Sequence, residues 1–213
     1  MKHPNFNKEN LLKKKGYKRI AGLDEAGRGP LAGPVVAAAV LVDLNCDSKE
    51  LKFLKGINDS KKLSAKQRDK FYEILVNSEN IKWGIGVVSE KIIDKVNILQ
   101  ATKLAMQKSI DDLNCKTIGG HLDYLILDGN FKIKTDIPQK SVIGGDQKVI
   151  SISAASIIAK VTRDRIMCEY DKKYPQYGFS KHKGYGTKLH IKMLKECGAC
   201  PIHRKTFYPV MTV

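Results

Sequence analysis

Short apolar runs alternate with amphipathic segments along this chain, a pattern typical of an α/β fold. The runs from Lys18 to Leu23 and from Val35 to Val42 are rich in Val, Ile and Ala, and a Gly- and Pro-rich cluster separates them. They predict two strands joined by a tight connection. Further strands are expected from Ile81, over residues 121–128 and over residues 141–143.

Four segments have helical periodicity. Ser64 and Gln67 have the spacing of a capping box at the start of the first, and apolar positions recur at helical spacing over residues 98–113. The segment 150–173 is apolar and small on nearly all sides in its first half, so that half should pack against the sheet. A last helix is expected over residues 187–197. We predict a basic N-terminal arm (1–16) and one α/β domain (17–213), with residues from about 165 forming a basic helical C-terminal part.

The charge balance indicates a polyanionic partner. The net charge is +16, and twelve basic against four acidic residues lie between Lys160 and Lys205. Five scattered cysteines, no signal peptide and no membrane-spanning run predict a cytoplasmic protein that does not contact a membrane. A non-catalytic basic protein that binds RNA or DNA would share this charge.

Carboxylates at strand ends supply candidate chemistry. Asp24 and Glu25 follow one apolar run, Asp128 ends another, and Asp146 follows two glycines at the entrance to the long helix. A carboxylate beside a core is disfavoured unless it is paired or binds a cation, so the four suggest an oxygen-ligand site for Mg²⁺ or Mn²⁺. Asp24 and Glu25 could converge only if their strand stops there. Each aspartate alone could equally be a turn former or a helix cap.

Other candidate sites are weaker. Asp164 lies mid-helix between two arginines, where an ion pair or a solvated face is expected. Cys197, Cys200 and His203 lack the second half of a structural zinc site, and we assign the two cysteines no role. The chain has neither a Walker phosphate loop nor a Gly-x-Ser-x-Gly nucleophile turn.

Five motifs in order carry a family resemblance from Ala21 to about Phe207. They are GLDEAGRGPLAGPVVAAAV, NDSKKLS, LILDGN, GGDQ followed by SAASIIAKVTRD, and YPQYGFSKHKGYGT. In this combination the chain resembles bacterial ribonuclease HII. The resemblance implies an RNase H-like fold with a central mixed sheet flanked by helices, and a carboxylate tetrad that falls on Asp24, Glu25, Asp128 and Asp146. It implies two divalent cations, Mn²⁺ or Mg²⁺, held by the tetrad.

The resemblance also implies an activity. It is hydrolysis of the RNA strand of RNA–DNA hybrids and cleavage 5′ of a single ribonucleotide in duplex DNA, leaving 3′-hydroxyl and 5′-phosphate ends. Ribonucleotide and RNA-primer removal would be its roles. We expect a monomer without an obligate protein partner. Another nuclease of the same fold, such as a ribonuclease HIII, is the alternative.

Specificity for a ribonucleotide requires recognition of its 2′-hydroxyl. By resemblance, the Gly27-Arg28-Gly29 stretch contacts the ribonucleotide, because neither glycine has a side chain in the way. Tyr185 matches the tyrosine that packs against the neighbouring deoxynucleotide sugar. Phosphate contacts are expected from Asn58, Ser60, Lys61 and Lys183.

Overall fold

The computed structural model describes residues 3–46, 49, 51–57, 63–117 and 120–213. Within them, five strands form one mixed sheet in the order β3-β2-β1-β4-β5. The pairs β1–β2 and β2–β3 are antiparallel, whereas β1–β4 and β4–β5 are parallel. The strands are β1 (Ile20–Ala26), β2 (Val35–Val42), β3 (Ile81–Val88), β4 (Tyr124–Asp128) and β5 (Gln139–Val142). The mixed sheet expected from the resemblance is confirmed.

Helices cover both faces of this sheet. They are α1 (Asn7–Lys14), α2 (Ala65–Asn77), α3 (Glu90–Lys116), α4 (Ile150–Lys173), α5 (Phe179–His182) and α6 (Lys188–Cys197). Helix α3 packs on one face, with Leu23 and Leu127 in its core cluster, and α4 packs on the other with α2 behind it. The expected capping box is present at Ser64. None of the helices in the described ranges is long and apolar enough to cross a membrane.

Strand β1 extends to Ala26, and this corrects the expectation that the strand stops at Asp24 and Glu25. Asp24 pairs with Ala38 and Glu25 with Ala37 across the antiparallel β1–β2 ladder. Because side chains alternate along a strand, the two carboxylates leave opposite faces of the sheet. A Cβ added to Gly22 would lie 2.4 Å from the Ser151 backbone of α4, so Gly22 and Asp24 face α4.

Helix α3 also begins earlier than predicted, at Glu90, and bends at Asn97, where φ is +67°. The Asn97 side-chain oxygen accepts hydrogen bonds from the backbone N–H groups of Leu99 (3.0 Å) and Gln100 (3.1 Å). Asn97 therefore caps the second half of α3, which is the part that the periodicity predicted.

The N-terminal segment, expected to be a basic arm, contains α1 and packs on the domain. Glu9 of α1 is 2 % exposed. Its Oε1 accepts hydrogen bonds from the Ser151 backbone N–H (3.1 Å) and Oγ–H (2.8 Å), at the first turn of α4. Val149, the residue before α4, offers no side-chain cap, so a carboxylate from another helix takes that place.

Candidate active site

Three carboxylates from three parts of the chain meet beside the start of α4. Asp24, Asp128 and Asp146 each offer an oxygen, and these oxygens lie within 4.8 Å of one another. The parallel β1–β4 register pairs Leu23 with Leu127, so the next residue of each strand is an aspartate facing α4. The Gly145 N–H donates to Asp128 Oδ1 at 2.7 Å, which holds the loop carrying Asp146 against β4.

The cluster is electrostatically costly unless it holds a cation. Asp24 and Asp146 are each 5 % exposed. Burial raises the pKa of Asp24 well above its usual value, and the neighbouring carboxylates of Glu25 and Asp128 raise it further. Three carboxylate oxygens at this spacing, two of them from buried residues, are hard ligands suited to Mg²⁺ or Mn²⁺. The donor set therefore fits a divalent metal.

Glu25 does not join the three-carboxylate cluster. It lies on the α3 face of β1, and its Oε1 is 3.4 Å from Arg28 Nη1. The Arg28 guanidinium also lies 5.8 Å from the centre of the Phe131 ring. Glu25 is nevertheless close enough to Asp24 to be the second cause of its raised pKa. The structure thus brings three of the four expected ligands together and leaves the fourth at the strand's other face.

Two buried arginines hold the loop that follows β1. Arg163 of α4 donates from Nε to the Pro34 carbonyl (2.9 Å), from Nη2 to Ala32 (3.1 Å) and from Nη1 to Lys183 (3.0 Å). Arg204 donates to the carbonyls of Gly27 (2.5 Å), Arg28 (2.9 Å) and Gly33 (2.9 Å). Both side chains are fully buried. The backbone of the Gly-Arg-Gly stretch is therefore fixed by charge-assisted hydrogen bonds from the protein interior.

The same loop lies beside the predicted junction tyrosine. A Cβ on Gly29 would lie 3.9 Å from Tyr185 Cε1, and the Tyr185 side chain is 45 % exposed. Gly27 has a different reason to be glycine, because its φ is +98° and an added Cβ would lie 2.1 Å from Arg163 Nε. Gly29, five residues along the chain from Asp24, and Tyr185 thus form an accessible surface.

A groove of about 700 Å³ adjoins Tyr185 between α2, α4 and α5. We call it the basic groove, although Asp69, Asp164 and Glu169 also line it; its cationic lining residues are Arg68, Lys160, Arg165, Lys181 and Lys183. Asp164 pairs with Lys160 at 2.7 Å, which confirms that it is an ion-pair residue outside the cluster. The Lys183 ammonium donates to the Ser180 carbonyl. Asn58, Ser60 and Lys61 lie outside the described residues.

The family model for ribonuclease HII matches residues 21–210. The chain belongs to the ribonuclease HII family. The ribonuclease HII of Acetivibrio thermocellus is 53% identical over 193 residues, which are 91% of this chain and 71% of that relative. The crystal structure of ribonuclease H2 from Pyrococcus horikoshii OT3 superposes with a TM-score of 0.69 at 28% identity, over 91% of this chain and 96% of the other. RNase HII in a complex with PCNA from Archaeoglobus fulgidus gives a TM-score of 0.70 at 25% identity, over 89% and 95%.

Membership of the ribonuclease HII family makes this chain a metal-dependent endoribonuclease that acts on RNA–DNA hybrids. The resemblance seen in the motifs is confirmed, and the non-catalytic alternative is wrong. The cluster of Asp24, Asp128 and Asp146 could hold such a metal.

The sequence analysis did not identify the buried residues that hold the backbone around this ribonuclease HII site. Arg163 and Arg204 look like two more cations in a strongly basic chain, His190 carries no motif of its own, and His203 was considered only as part of an incomplete zinc site. One signal was available: only six of the 38 basic residues are arginine. Arginine is the cation that can satisfy several carbonyls at once with a planar fork of donors, so it is the better candidate for burial.

Proposed function

We propose that this ribonuclease HII cleaves duplex DNA on the 5′ side of a single embedded ribonucleotide, leaving 3′-hydroxyl and 5′-phosphate ends, as well as RNA in longer hybrids. The observation that carries the proposal is the proximity of Gly29 and Tyr185: a Cβ added to Gly29 would lie 3.9 Å from Tyr185 Cε1. An open backbone surface and an exposed aromatic ring therefore lie side by side, which supports recognition of a ribose and of the next sugar together.

We assign the metal site to Asp24, Asp128 and Asp146, with Glu25 as the fourth ligand. A divalent metal bound there, Mg²⁺ or Mn²⁺, would supply an activated water and stabilise the leaving 3′-oxygen. The protein's own part is to hold three carboxylates within 4.8 Å of one another on two strands and a braced loop. Glu25, whose Oε1 now lies 3.4 Å from Arg28 Nη1 on the other face of β1, would have to leave that contact and turn toward the metal.

Recognition of the 2′-hydroxyl is assigned to the backbone of Gly27, Arg28 and Gly29. The carbonyls of Gly27 and Arg28 are held by Arg204, so the loop does not have to be ordered when substrate binds. Tyr185 packs against the adjoining deoxyribose. A 2′-hydroxyl is the one group that distinguishes a ribonucleotide from its neighbours at such a junction.

The basic groove supplies the duplex contact. Lys183 and Tyr185 line it together, so a strand leaving the junction would pass over its lysines and arginines. We also retain Asn58, Ser60 and Lys61 as phosphate contacts.

A single-ribonucleotide duplex tests this assignment. Wild-type protein is incubated with DNA that carries one ribonucleotide, in Mg²⁺, in Mn²⁺ or with EDTA. We expect a metal-dependent nick 5′ to the ribonucleotide, and an all-DNA duplex of the same sequence is the control. A protein that cuts a long RNA–DNA hybrid but leaves the single ribonucleotide intact would contradict the proposal and favour the ribonuclease HIII type.

We propose further that the enzyme works as a monomer without an obligate partner, removing ribonucleotides and RNA primers from DNA in the cytoplasm. Its archaeal relative forms a complex with PCNA. Cleavage by the purified chain at the elution volume of a monomer is the expected result. Activity confined to a larger species would contradict it.

A further inference from the structure

A chain of buried histidines lies directly beneath Tyr185. His190 and His203 are 0 % and 1 % exposed, and their Nε2 atoms are 2.9 Å apart. His190 Nδ1 lies 2.9 Å from the Tyr185 carbonyl oxygen. At the other end, His203 Nδ1 lies 2.9 Å from the Cys200 backbone nitrogen. None of these groups has a part in the proposed metal chemistry.

The backbone fixes which nitrogens carry protons. The Cys200 N–H can only donate, so His203 Nδ1 accepts and the proton of neutral His203 sits on Nε2. That Nε2–H donates to His190 Nε2, which leaves the His190 proton on Nδ1. His190 Nδ1–H then donates to the Tyr185 carbonyl. One backbone N–H thereby sets the direction of every hydrogen bond along the chain.

The chain connects the two halves of the proposed ribonucleotide surface. His203 pairs with Ala32 in an isolated antiparallel bridge, and the following Arg204 N–H donates to the Leu31 carbonyl at 2.9 Å. Ala32 and Leu31 belong to the loop that begins with Gly27. Tyr185, at the far end, lies beside Gly29. The histidines therefore span from the base of the Gly-Arg-Gly loop to the backbone of the junction tyrosine.

The Tyr185 backbone is bonded on both sides. Its N–H donates to the His182 carbonyl at 2.9 Å, and its carbonyl accepts from Thr187 N–H at 2.8 Å as well as from His190. The side chain, in contrast, is 45 % exposed. The ring thus projects into solvent from a backbone with fixed position, as a recognition element requires.

We propose that His190, with its tautomer set by His203, is a positioning residue that aims Tyr185 at the sugar beside a ribonucleotide. This inference rests on the proposed function. It predicts that substitutions of the histidines reduce cleavage most on the substrates for which Tyr185 is most important. Lost hydrogen bonding at His190 leaves the carboxylate cluster in place but lets the tyrosine ring move away from Gly29.

Two substitutions of His190 separate positioning from packing. His190→Asn keeps a side-chain N–H at the place of Nδ1, whereas His190→Leu keeps comparable bulk without a donor. We expect His190→Leu to lower kcat/KM on a single-ribonucleotide duplex about tenfold, the equivalent of one hydrogen bond, with a smaller effect on a long RNA–DNA hybrid. His190→Asn should recover most of that loss. Both are assayed well below their melting temperatures.

The same substitution in a Tyr185→Ala background tests the route of the effect. If His190 acts through Tyr185, His190→Leu adds little once the ring is gone. Equal losses on both substrates, equal losses for Leu and Asn, or full additivity with Tyr185→Ala would overturn the inference. Failure of the wild-type enzyme to cleave at a single ribonucleotide would instead overturn the proposed function.

A measurement that needs no variant complements these assays. In ¹⁵N-labelled protein at pH 7, ring nitrogen shifts should show His190 as the Nδ1–H tautomer and His203 as the Nε2–H tautomer. Finding His190 as the Nε2–H tautomer, or charged, would refute the hydrogen-bond direction even if His190→Leu did not fold.

Discussion

Substituting alanine for each glycine of the Gly27-Arg28-Gly29 stretch should have two different consequences. At Gly27 the backbone φ is +98°, and an alanine Cβ would lie 2.1 Å from Arg163 Nε and 2.7 Å from the Pro34 carbonyl oxygen. At Gly29 the backbone is not left-handed, and the new Cβ would make an ordinary contact with Tyr185 at 3.9 Å. The alanine methyl group at position 27 would collide with the interior, whereas the one at position 29 would occupy the surface proposed to meet the substrate.

The magnitude at Gly27 follows from its contacts. A left-handed alanine costs about 1–2 kcal/mol. Relieving the collision displaces the Arg163 guanidinium from carbonyls that it now reaches at 2.9 to 3.1 Å. Each hydrogen bond from a charged group that is lost costs about 1.5–3 kcal/mol. Loss of one such bond gives a total of about 3–5 kcal/mol for Gly27→Ala, against less than about 1 kcal/mol for Gly29→Ala.

Thermal and chemical unfolding of the two variants measure this difference. In a protein of this size about 3–5 kcal/mol lowers the melting temperature by about 10 °C. Gly29→Ala should melt near the wild-type temperature, yet lose at least about tenfold in single-ribonucleotide cleavage, because the methyl group stands where the ribose must approach. Equal melting temperatures for the two variants would refute the collision at Gly27. Full activity of Gly29→Ala would refute the role of its open backbone.

Three further predictions concern the carboxylates, the histidines and Tyr185. Asp24→Asn and Asp128→Asn should abolish cleavage but retain duplex binding, which rests on cationic side chains. Without metal at pH 7, Asp24→Asn should also unfold at a higher temperature than wild type. The reason is that burial raises the pKa of Asp24, so its charged form destabilises the fold. Retained cleavage in either variant would show that the metal site is elsewhere. Burial, then repulsion from His190, lowers the pKa of His203 to about 4 from an ordinary 6.5, so its contribution to stability is complete above pH 6.5 and is lost as the pH falls toward 4. The difference in the free energy of unfolding between wild type and His203→Gln should therefore decrease as the pH falls over that range, by at most about 3 kcal/mol. A difference that does not change with pH would contradict the lowered pKa. Tyr185→Ala should reduce cleavage at a single ribonucleotide more than in a long hybrid, and equal reductions would argue against junction sensing.

The sequence correctly predicted that Asp24 and Asp128, on the parallel strands β1 and β4, lie together. It did not correctly place Glu25, which follows Asp24 on the same strand. Asp128 ends an apolar strand as expected, and the parallel register pairs Leu127, the residue before it, with Leu23, the residue before Asp24. The extension of β1 to Ala26 was not predictable from local pattern, because the Gly-rich segment after Ala26 signals a turn without fixing where pairing with β2 ends. That extension decides that Asp24 and Glu25 leave opposite faces of the sheet.

By itself, the sequence determined the α/β class, the family, the basic charge and the three aspartates that cluster, because each of these follows from periodicity, composition or motif. Tertiary structure alone decided what surrounds them. Arg163 and Arg204 lie 129 to 177 residues along the chain from the loop carbonyls they hold near β1. The tautomers of His190 and His203 depend on one backbone N–H of Cys200. Contacts between residues so far apart in the chain cannot be predicted from local periodicity or composition. An arginine or a histidine becomes a structural group, and not a solvated charge, only when the folded chain buries it.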